Sequence, residues 1–236
     1  MSAATQPGPA GPSSADLAAR LLYRDGLMLV LDKPAGLPVH PGPGGGPTVA
    51  DQLDELRFGL PARPEIAHRL DKGTSGCLVL GRHRKALARL GRLFASGAVD
   101  KVYWAVVDGG PPAASGTIDW PIARRSRTRG WWMRVDPAGD PATTHYRILA
   151  EGGGRCWLEL RPVTGRTHQL RVHLAALGCP IEGDAVYGDA PRGAALHLHA
   201  RSVRIPLYPK RAPIEVTAPA PEHLLRAVDS ITDREP

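Results

Sequence analysis

THYRILAEGGGRCWLELRP, residues 144–162, decides the fold. Its flanks, THYRILA (144–150) and CWLELRP (156–162), carry the β-branched, aromatic and alternating apolar residues of strands. EGGG (151–154) between them reads as a hairpin turn. Strands joined so closely pair antiparallel, because a parallel return takes a dozen or more residues. The same pattern recurs outward in both directions. KVYWAVV (101–107) and LHLHARSVRI (196–205) are alternating or β-rich, CLVLGR (77–82) reads as a buried strand, and LMLVLDKP (27–34) as a strand stopped by Pro34. Helices are fewer. Thr48 is a good N-cap for one running to about Leu56. Residues 84–95 form a basic amphipathic helix with Ala86, Leu87, Leu90, Leu93 and Phe94 turned inward, and Thr167 to Leu177 reads as a helix closed by Gly178 and Pro180. The expected architecture is α+β: one domain over 17–228, built on a large, mainly antiparallel mixed sheet with flanking helices. Residues 1–16, rich in Pro, Gly, Ser and Ala, read as a disordered lead-in, and 229–236 as a fraying tail.

The 236 residues carry 30 Lys and Arg against 23 Asp and Glu, a formal charge of +7. Such a surface attracts polyanions, and nucleic acid is the usual one. The cations also cluster, with Arg82, Arg84, Lys85, Arg89, Arg92 and Lys101 in one stretch and Arg124, Arg125, Arg127, Arg129 and Arg134 in another. No run approaches the roughly 18 apolar residues that cross a bilayer. The N-terminal MSAATQPGPAGPSSAD has neither a basic nor an apolar signal region, so a cytoplasmic protein without membrane association is expected. Cys77, Cys156 and Cys179 are scattered with no CxxC pair, which argues against a disulfide framework or structural zinc and leaves each as a packing residue. Walker and dinucleotide motifs are absent. No apolar seam suggests an obligate dimer, and a monomer is expected.

Three segments could carry chemistry. HRLDKGTSG (68–76) sets one carboxylate, Asp71, on a loop among cations and hydroxyls. Arg69, Lys72 and any approaching arginine favour a charged carboxylate there. Thr74 and Ser75 can hydrogen-bond to it or cap the turn, and Gly73 and Gly76 permit tight backbone geometry. Taken alone, an Asp in such a turn is more often a structural acceptor. RPVTGRTHQLRVHLAALG (161–178) places Arg166 just ahead of a helix whose first residues are Thr167 and His168. Arg166 is the better candidate to fix Asp71 with a bidentate guanidinium, and Arg171 reads as a phosphate contact or a solvated side chain. His168 and His173 are five apart and do not share a helix face as zinc ligands would, so no metal is expected. In KVYWAVVDG (101–109), alternation puts Tyr103, Ala105 and Val107 on one face, where Tyr103 is either a rim aromatic or a ring for a base to stack on. ARRSRTRGWWMR (123–134) suits phosphate contacts with base stacking, or a solvated loop whose tryptophans pack locally. His197 and His199 face the same way and read as satisfied packing residues.

Taken together these segments resemble the RluA-type family of RNA pseudouridine synthases, over roughly Tyr23 to Leu224. LDKPAGLPVHPG (31–42) is similar to the family's first motif, HRLDKGTSG to its catalytic motif, KVYWAVVDG to its tyrosine strand, and VTGRTHQLRVHLAALGCPIEGDAVYG (163–188) to its third motif. The resemblance implies a catalytic domain with a central cleft. It makes Asp71 the essential carboxylate, Arg166 its salt-bridge partner and Tyr103 the aromatic that meets the target base. Arg69 would enter the space left by the flipped nucleotide, and Leu170 would help wall the uracil pocket. Leu70, Thr74, His168 and Arg171 complete the substrate-binding set it implies. Two departures stand out. Cys77 follows TSG where a bulkier aliphatic is common, and there is no room before Tyr23 for the S4 RNA-binding module that many relatives carry.

The activity so implied is isomerisation of specific uridines in structured RNA, ribosomal or transfer, after the base is flipped out at a cost of a few kcal/mol. The N1–C1′ bond breaks and C5 rejoins C1′, with neither metal nor cofactor. Asp71 acts by attack on C1′, by abstraction of the C2′ proton or by addition to the ring, and the sequence leaves all three open. Two other classes compete. A non-catalytic RNA-binding protein would share the basic loops. A nucleoside or glycoside hydrolase needs two carboxylates across the bond, for which Asp184 is the only plausible second acid.

Overall fold

A computed structural model of the chain describes residues 14–42, 45–126 and 132–233. Helix α1 (Ser14–Ala19) leads into β1 (Leu21–Arg24) and β2 (Met28–Lys33), followed by a 3₁₀ helix over Ala50–Leu56. Next come β3 (Glu65–Ile66), β4 (Ser75–Gly81), α2 (Arg84–Ala95) and β5 (Asp100–Asp108). The strands β6 (Ser115–Asp119), β7 (Ile122–Arg124), β8 (Met133–Val135), β9 (Thr143–Gly152) and β10 (Arg155–Pro162) precede α3 (Gln169–Ala176). The chain closes with β11 (Leu198–Ile205), β12 (Ile214–Thr217) and α4 (Glu222–Thr232).

The expected hairpin is β9–β10, and its reversal places Gly153 and Gly154 at positive φ. The main sheet runs β1-β2-β4-β11-β5-β10-β9-β6, with β12 on β11 and β3 on β4. Every pairing in it is antiparallel except one. β4 meets β11 in parallel over two residue pairs, His199 opposite Ser75 and Ala200 opposite Gly76. This short seam joins an N-terminal half of the sheet to a C-terminal half. The approach is so close that a Cβ on Gly76, whose φ is +104°, would sit 2.3 Å from the Ala200 carbonyl oxygen. The α+β class with a mainly antiparallel mixed sheet therefore stands as expected.

Alternation on β5 works as predicted. Ala105 and Val107 pack with Leu158, Leu160, Leu170 and Leu174 beneath α3, whereas Val106 faces the opposite way into α4. Helix α2 buries Ala86 and Leu90, with Leu93 and Phe94 packed beside them. At the 3₁₀ helix, Thr48 and Asp51 exchange hydrogen bonds, Thr48 N–H to Asp51 Oδ2 at 3.0 Å and Asp51 N–H to Thr48 Oγ1 at 3.3 Å.

The ends differ from expectation. The lead-in assigned to 1–16 overlaps α1 at its last three residues, and residues 1–13 lie outside the described residues. The tail expected to fray from 229 continues instead as α4 through Thr232. Leu224, Ala227, Val228 and Ile231 form one apolar stripe against Val106, Trp104 and Trp157. Burial of Ile231 thus holds the last turn, and 234–236 lie outside the described residues.

Candidate active site

Asp71 lies on the loop that enters β4, at the seam between the two half-sheets. Each neighbour in HRLDKGTSG pins that loop. His68 is a half-buried neutral acceptor, its pKa pushed down to about 3 first by desolvation; its Nε2 accepts from Val79 N–H at 3.1 Å, and its ring stacks on Phe94 at 4.5 Å. Leu70 is buried in the N-terminal core, and Thr74 N–H donates to the Asp71 carbonyl at 3.1 Å to close the turn. The hydroxyl partners expected for the carboxylate do not form. Ser75 Oγ turns to His199 Nδ1 at 2.9 Å, and no bond joins either hydroxyl to the Asp71 side chain among the described residues.

The segment 31–42 supports this loop from behind through Lys33. The Lys33 side chain is fully buried, and its Nζ donates to the carbonyls of Pro34 (2.8 Å), Leu37 (2.8 Å) and Lys72 (3.3 Å). Gly36 N–H donates to the same Lys72 carbonyl at 2.8 Å. Burial lowers the Lys33 pKa to about 7, while the charges of Asp71 and Asp32 pull it back up.

The partner of Asp71 is Arg171, where Arg166 was expected. Arg171 Nη1 lies 3.2 Å from Asp71 Oδ2. Arg171 Nε and Nη2 hold Asp184 in a fork at 2.7 and 2.8 Å. Asp184 also accepts from Val186 N–H (2.9 Å) and Tyr187 N–H (3.1 Å), so a buried carboxylate with four donors aims the guanidinium. Burial opposes the Arg171 charge, but Asp184 and Asp71 outweigh it and its pKa is raised. Arg166 is exposed, and its Nε donates to the Pro141 carbonyl at 3.0 Å. The reason lies in the helix start. α3 begins at Gln169, after His168 adopts φ 54°, ψ 19°, a left-handed conformation that costs about 1–2 kcal/mol in a residue with a Cβ. The turn so formed is tied by Gln169, whose Oε1 accepts from Arg166 N–H (3.0 Å) and Thr164 Oγ1 (2.7 Å) and whose Nε2 donates to the Thr143 carbonyl (3.0 Å). Arg171 is thereby on the inward face and Arg166 on the rim.

His168 sits on the other side of the carboxylate, its Nε2 3.8 Å from Asp71 Oδ1. Its Nδ1 is 2.8 Å from Tyr187 Oη, which accepts from Met133 N–H at 2.9 Å. When the tyrosine proton is given to Nδ1, the neutral ring carries its own proton on Nε2, toward Asp71. Burial lowers the His168 pKa against the opposing pull of Asp71, so a neutral ring is favoured.

These groups open onto a cavity of about 600 Å³. All nine residues singled out in the sequence line it: Arg69, Leu70, Asp71, Thr74, Tyr103, Arg166, His168, Leu170 and Arg171. Tyr103 comes from β5, opposite Ala200, and first burial and then the Asp71 charge raise the pKa of its phenol. Lys101, two residues earlier, also reaches the cavity and donates to the Thr164 carbonyl at 3.2 Å. Of the basic–aromatic stretch, 127–131 lie outside the described residues; Arg125 lies over the Trp132 ring at 5.6 Å. His197 and His199 are packing residues, bonded to the carbonyls of Glu182 and Ala218. Asp184 is absent from the cavity lining, being turned wholly to Arg171 and backbone N–H groups.

Residues 27–176 match the family model described as RNA pseudouridylate synthase. The chain belongs to that family. An uncharacterized RNA pseudouridine synthase of Zymomonas mobilis subsp. mobilis is 44% identical over 210 residues, covering 87% of this chain and 95% of that protein. A ribosomal large subunit pseudouridine synthase D of Xanthomonas campestris pv. campestris is 39% identical over 237 residues, covering 92% and 71%. Among solved structures, human RNA pseudouridylate synthase domain containing 4 superposes with a TM-score of 0.78 at 29% identity, covering 93% of this chain and 95% of that one. As a member of the pseudouridine synthase family, the protein is an isomerase that converts uridine to pseudouridine in RNA. No helix among the described residues is long and apolar enough to cross a membrane.

Proposed function

We propose that Asp71 is the catalytic carboxylate of this pseudouridine synthase, acting on a uridine flipped out of ribosomal or transfer RNA into the 600 Å³ cavity. One observation carries the reading: among the described residues a single carboxylate faces the cavity at a fixed angle, held by Arg171, which Asp184 holds in turn. A group so pre-organised spends little reorientation free energy at the moment of reaction. The net chemistry needs no added atom. The N1–C1′ bond breaks, a C5–C1′ bond forms, the C5 proton leaves and N1 gains a proton. Tyr103 offers a ring for the uracil to stack on, Leu170 walls the base, and Arg69 on the exposed side fills the place the nucleotide leaves. Thr74, Leu70 and His168 shape the cavity around the carboxylate, and Arg166 at the rim meets phosphate. The protein works as a cytoplasmic monomer away from membranes, without metal or cofactor. A glycosidase reading loses its second acid, because Asp184 is buried against Arg171 and two backbone N–H groups and does not line the cavity.

The test is incubation of the purified protein with unmodified ribosomal and transfer RNA transcripts, followed by carbodiimide-dependent reverse-transcription stops. Discrete new stops at single uridines support the reading and name the substrate. Free uracil with no new stop would replace it with hydrolysis.

A further inference from the structure

Exposed cations without a carboxylate within ion-pair distance occur at several places among the described residues, Arg24, Lys72, Arg192 and Arg211 among them. The outer side of one half-sheet and helix α2 give the sharpest contrast. On the outer side of the C-terminal half-sheet each exposed arginine has a carboxylate: Arg147 and Arg161 hold Glu159 at 3.4 and 3.0 Å, and Arg204 holds Asp100 at 3.1 Å. Alternation places Glu159 and Arg161 on the face of β10 opposite Leu158 and Leu160, away from the cavity side. Helix α2 is the contrary case. Its twelve residues, RKALARLGRLFA, hold four cations and no acid. Arg84, Lys85 and Arg92 are exposed, and none has a carboxylate within ion-pair distance among the described residues.

Two of these charges are also badly placed for the helix itself. Arg84 and Lys85 occupy its first turn, where the positive end of the macrodipole repels cations and favours acids. Among the described residues no carboxylate offsets that repulsion, and a polyanion docked on this face would. The helix has a direction as well. Phe94 and Ala95 of its last turn, with Ser96 and Gly97 beyond, line the Asp71 cavity. From that mouth α2 leads away for about 18 Å at 1.5 Å per residue.

We propose that the outward face of α2 is the docking surface for the phosphate backbone of the RNA segment flanking the uridine that enters the cavity. The proposal rests on the Asp71 reading for the position of that uridine. Three phosphate contacts account for about 2 to 3 units of the slope of log K against log salt. They act on every sequence alike and set where the strand lies, leaving choice of base to the cavity.

The experiment compares wild type with R84Q/K85Q/R92Q and with R147Q/R161Q/R204Q, which loses the same net charge from the paired side. Gln keeps helix propensity close to that of Arg and Lys, and circular dichroism checks the fold of each variant. A fluorescent uridine-containing stem–loop RNA of about 30 nucleotides is titrated from 50 to 200 mM KCl, and turnover is measured on a transcript that wild type modifies. The α2 variant is expected to lose about 2 to 3 slope units, with the loss in turnover falling on KM rather than kcat; the control loses less than one slope unit. Equal slopes for wild type and the α2 variant, or equal losses in both variants, would overturn the proposal. Absence of pseudouridine from wild type would refute the Asp71 reading alone, because the slope comparison still decides whether α2 meets the backbone.

Discussion

Replacing Asp184 by Asn removes one negative charge from the carboxylate that holds Arg171 in a fork and aims it at Asp71. The Asp184 side chain is fully buried and accepts two guanidinium hydrogen bonds, at 2.7 and 2.8 Å. In the variant one oxygen becomes an NH2 donor that faces an arginine donor. With its oxygen at the Oδ1 position the Asn keeps Val186 N–H, Tyr187 N–H and Arg171 Nη2, but Arg171 Nε loses its acceptor and the buried guanidinium loses the Asp184 charge. Breaking a buried pair in this way costs about 3–5 kcal/mol. At about 2–4 °C per kcal/mol for a chain of this size, Tm should fall by about 6–20 °C. Burial works to raise the Asp184 pKa, but the Arg171 bond and charge and the two backbone N–H groups outweigh it and leave the pKa lowered. Its stabilising contribution is therefore present above the ordinary carboxylate pKa of 3.8 and is lost as pH falls below it, so the gap between wild type and variant should narrow in acid. Turnover should suffer as well, because a misplacement near 1 Å in a catalytic site can cost about 10²-fold. Urea denaturation followed by circular dichroism, with single-turnover rates at 25 °C, measures both effects. A variant within about 2 °C of wild type that isomerises uridine at the wild-type rate would refute the aiming role of Asp184.

Three further substitutions test neighbouring parts of the site. Arg166→Ala removes an exposed side chain bonded to one carbonyl, so its unfolding free energy in urea should fall by less than about 1 kcal/mol, whereas Arg171→Ala strands the buried Asp184 charge and should cost about 3–5 kcal/mol. Equal losses in the two would mean that Arg166 carries the ion pair after all. For Lys33, the folded pKa of about 7 lies below its unfolded value of 10.5, so unfolding takes up a proton between those pH values. Wild-type stability should therefore climb with pH through that window relative to Lys33→Met, with a slope approaching 1.4 kcal/mol per pH unit at most. Parallel urea curves for the two proteins at pH 7, 8 and 9 would rule out a proton-releasing lysine.

The strands were legible because a half-buried sheet writes a period of two into the chain, kept by β10 and the first half of β9, and because β5 is a run of β-branched and aromatic residues. Asp71, Tyr103 and the 161–178 segment were legible as a constellation, and the fold brings them to one cavity. The choice between Arg166 and Arg171 was not. It turns on where α3 starts, and that is set by a left-handed His168 and by Gln169 tying the turn to β9, neither of which a periodicity reports. Asp184 was weighed only as a second acid, yet one signal was available: a buried Arg requires fixed carboxylates, and Asp184 stands on a Gly-rich loop just after α3. Lys33 offered a similar signal, as a cation next to Asp32 at the end of the apolar run LMLVL in LMLVLDKP. The helix over 222–232 was hidden because its stripe of Leu224, Ala227, Val228 and Ile231 ends inside the polar DSITDREP.

The central claim is that Asp71 performs the chemistry and does little of the binding. Its most direct test measures Asp71→Asn and wild type side by side on one modified transcript, with Kd from RNA titration and the single-turnover rate of pseudouridine formation. Asn preserves shape and the turn closed by Thr74 N–H to the residue 71 carbonyl. Turnover should vanish while Kd stays within about threefold of wild type. Pseudouridine formed by the variant at a comparable rate, or RNA binding lost in step with turnover, would contradict it.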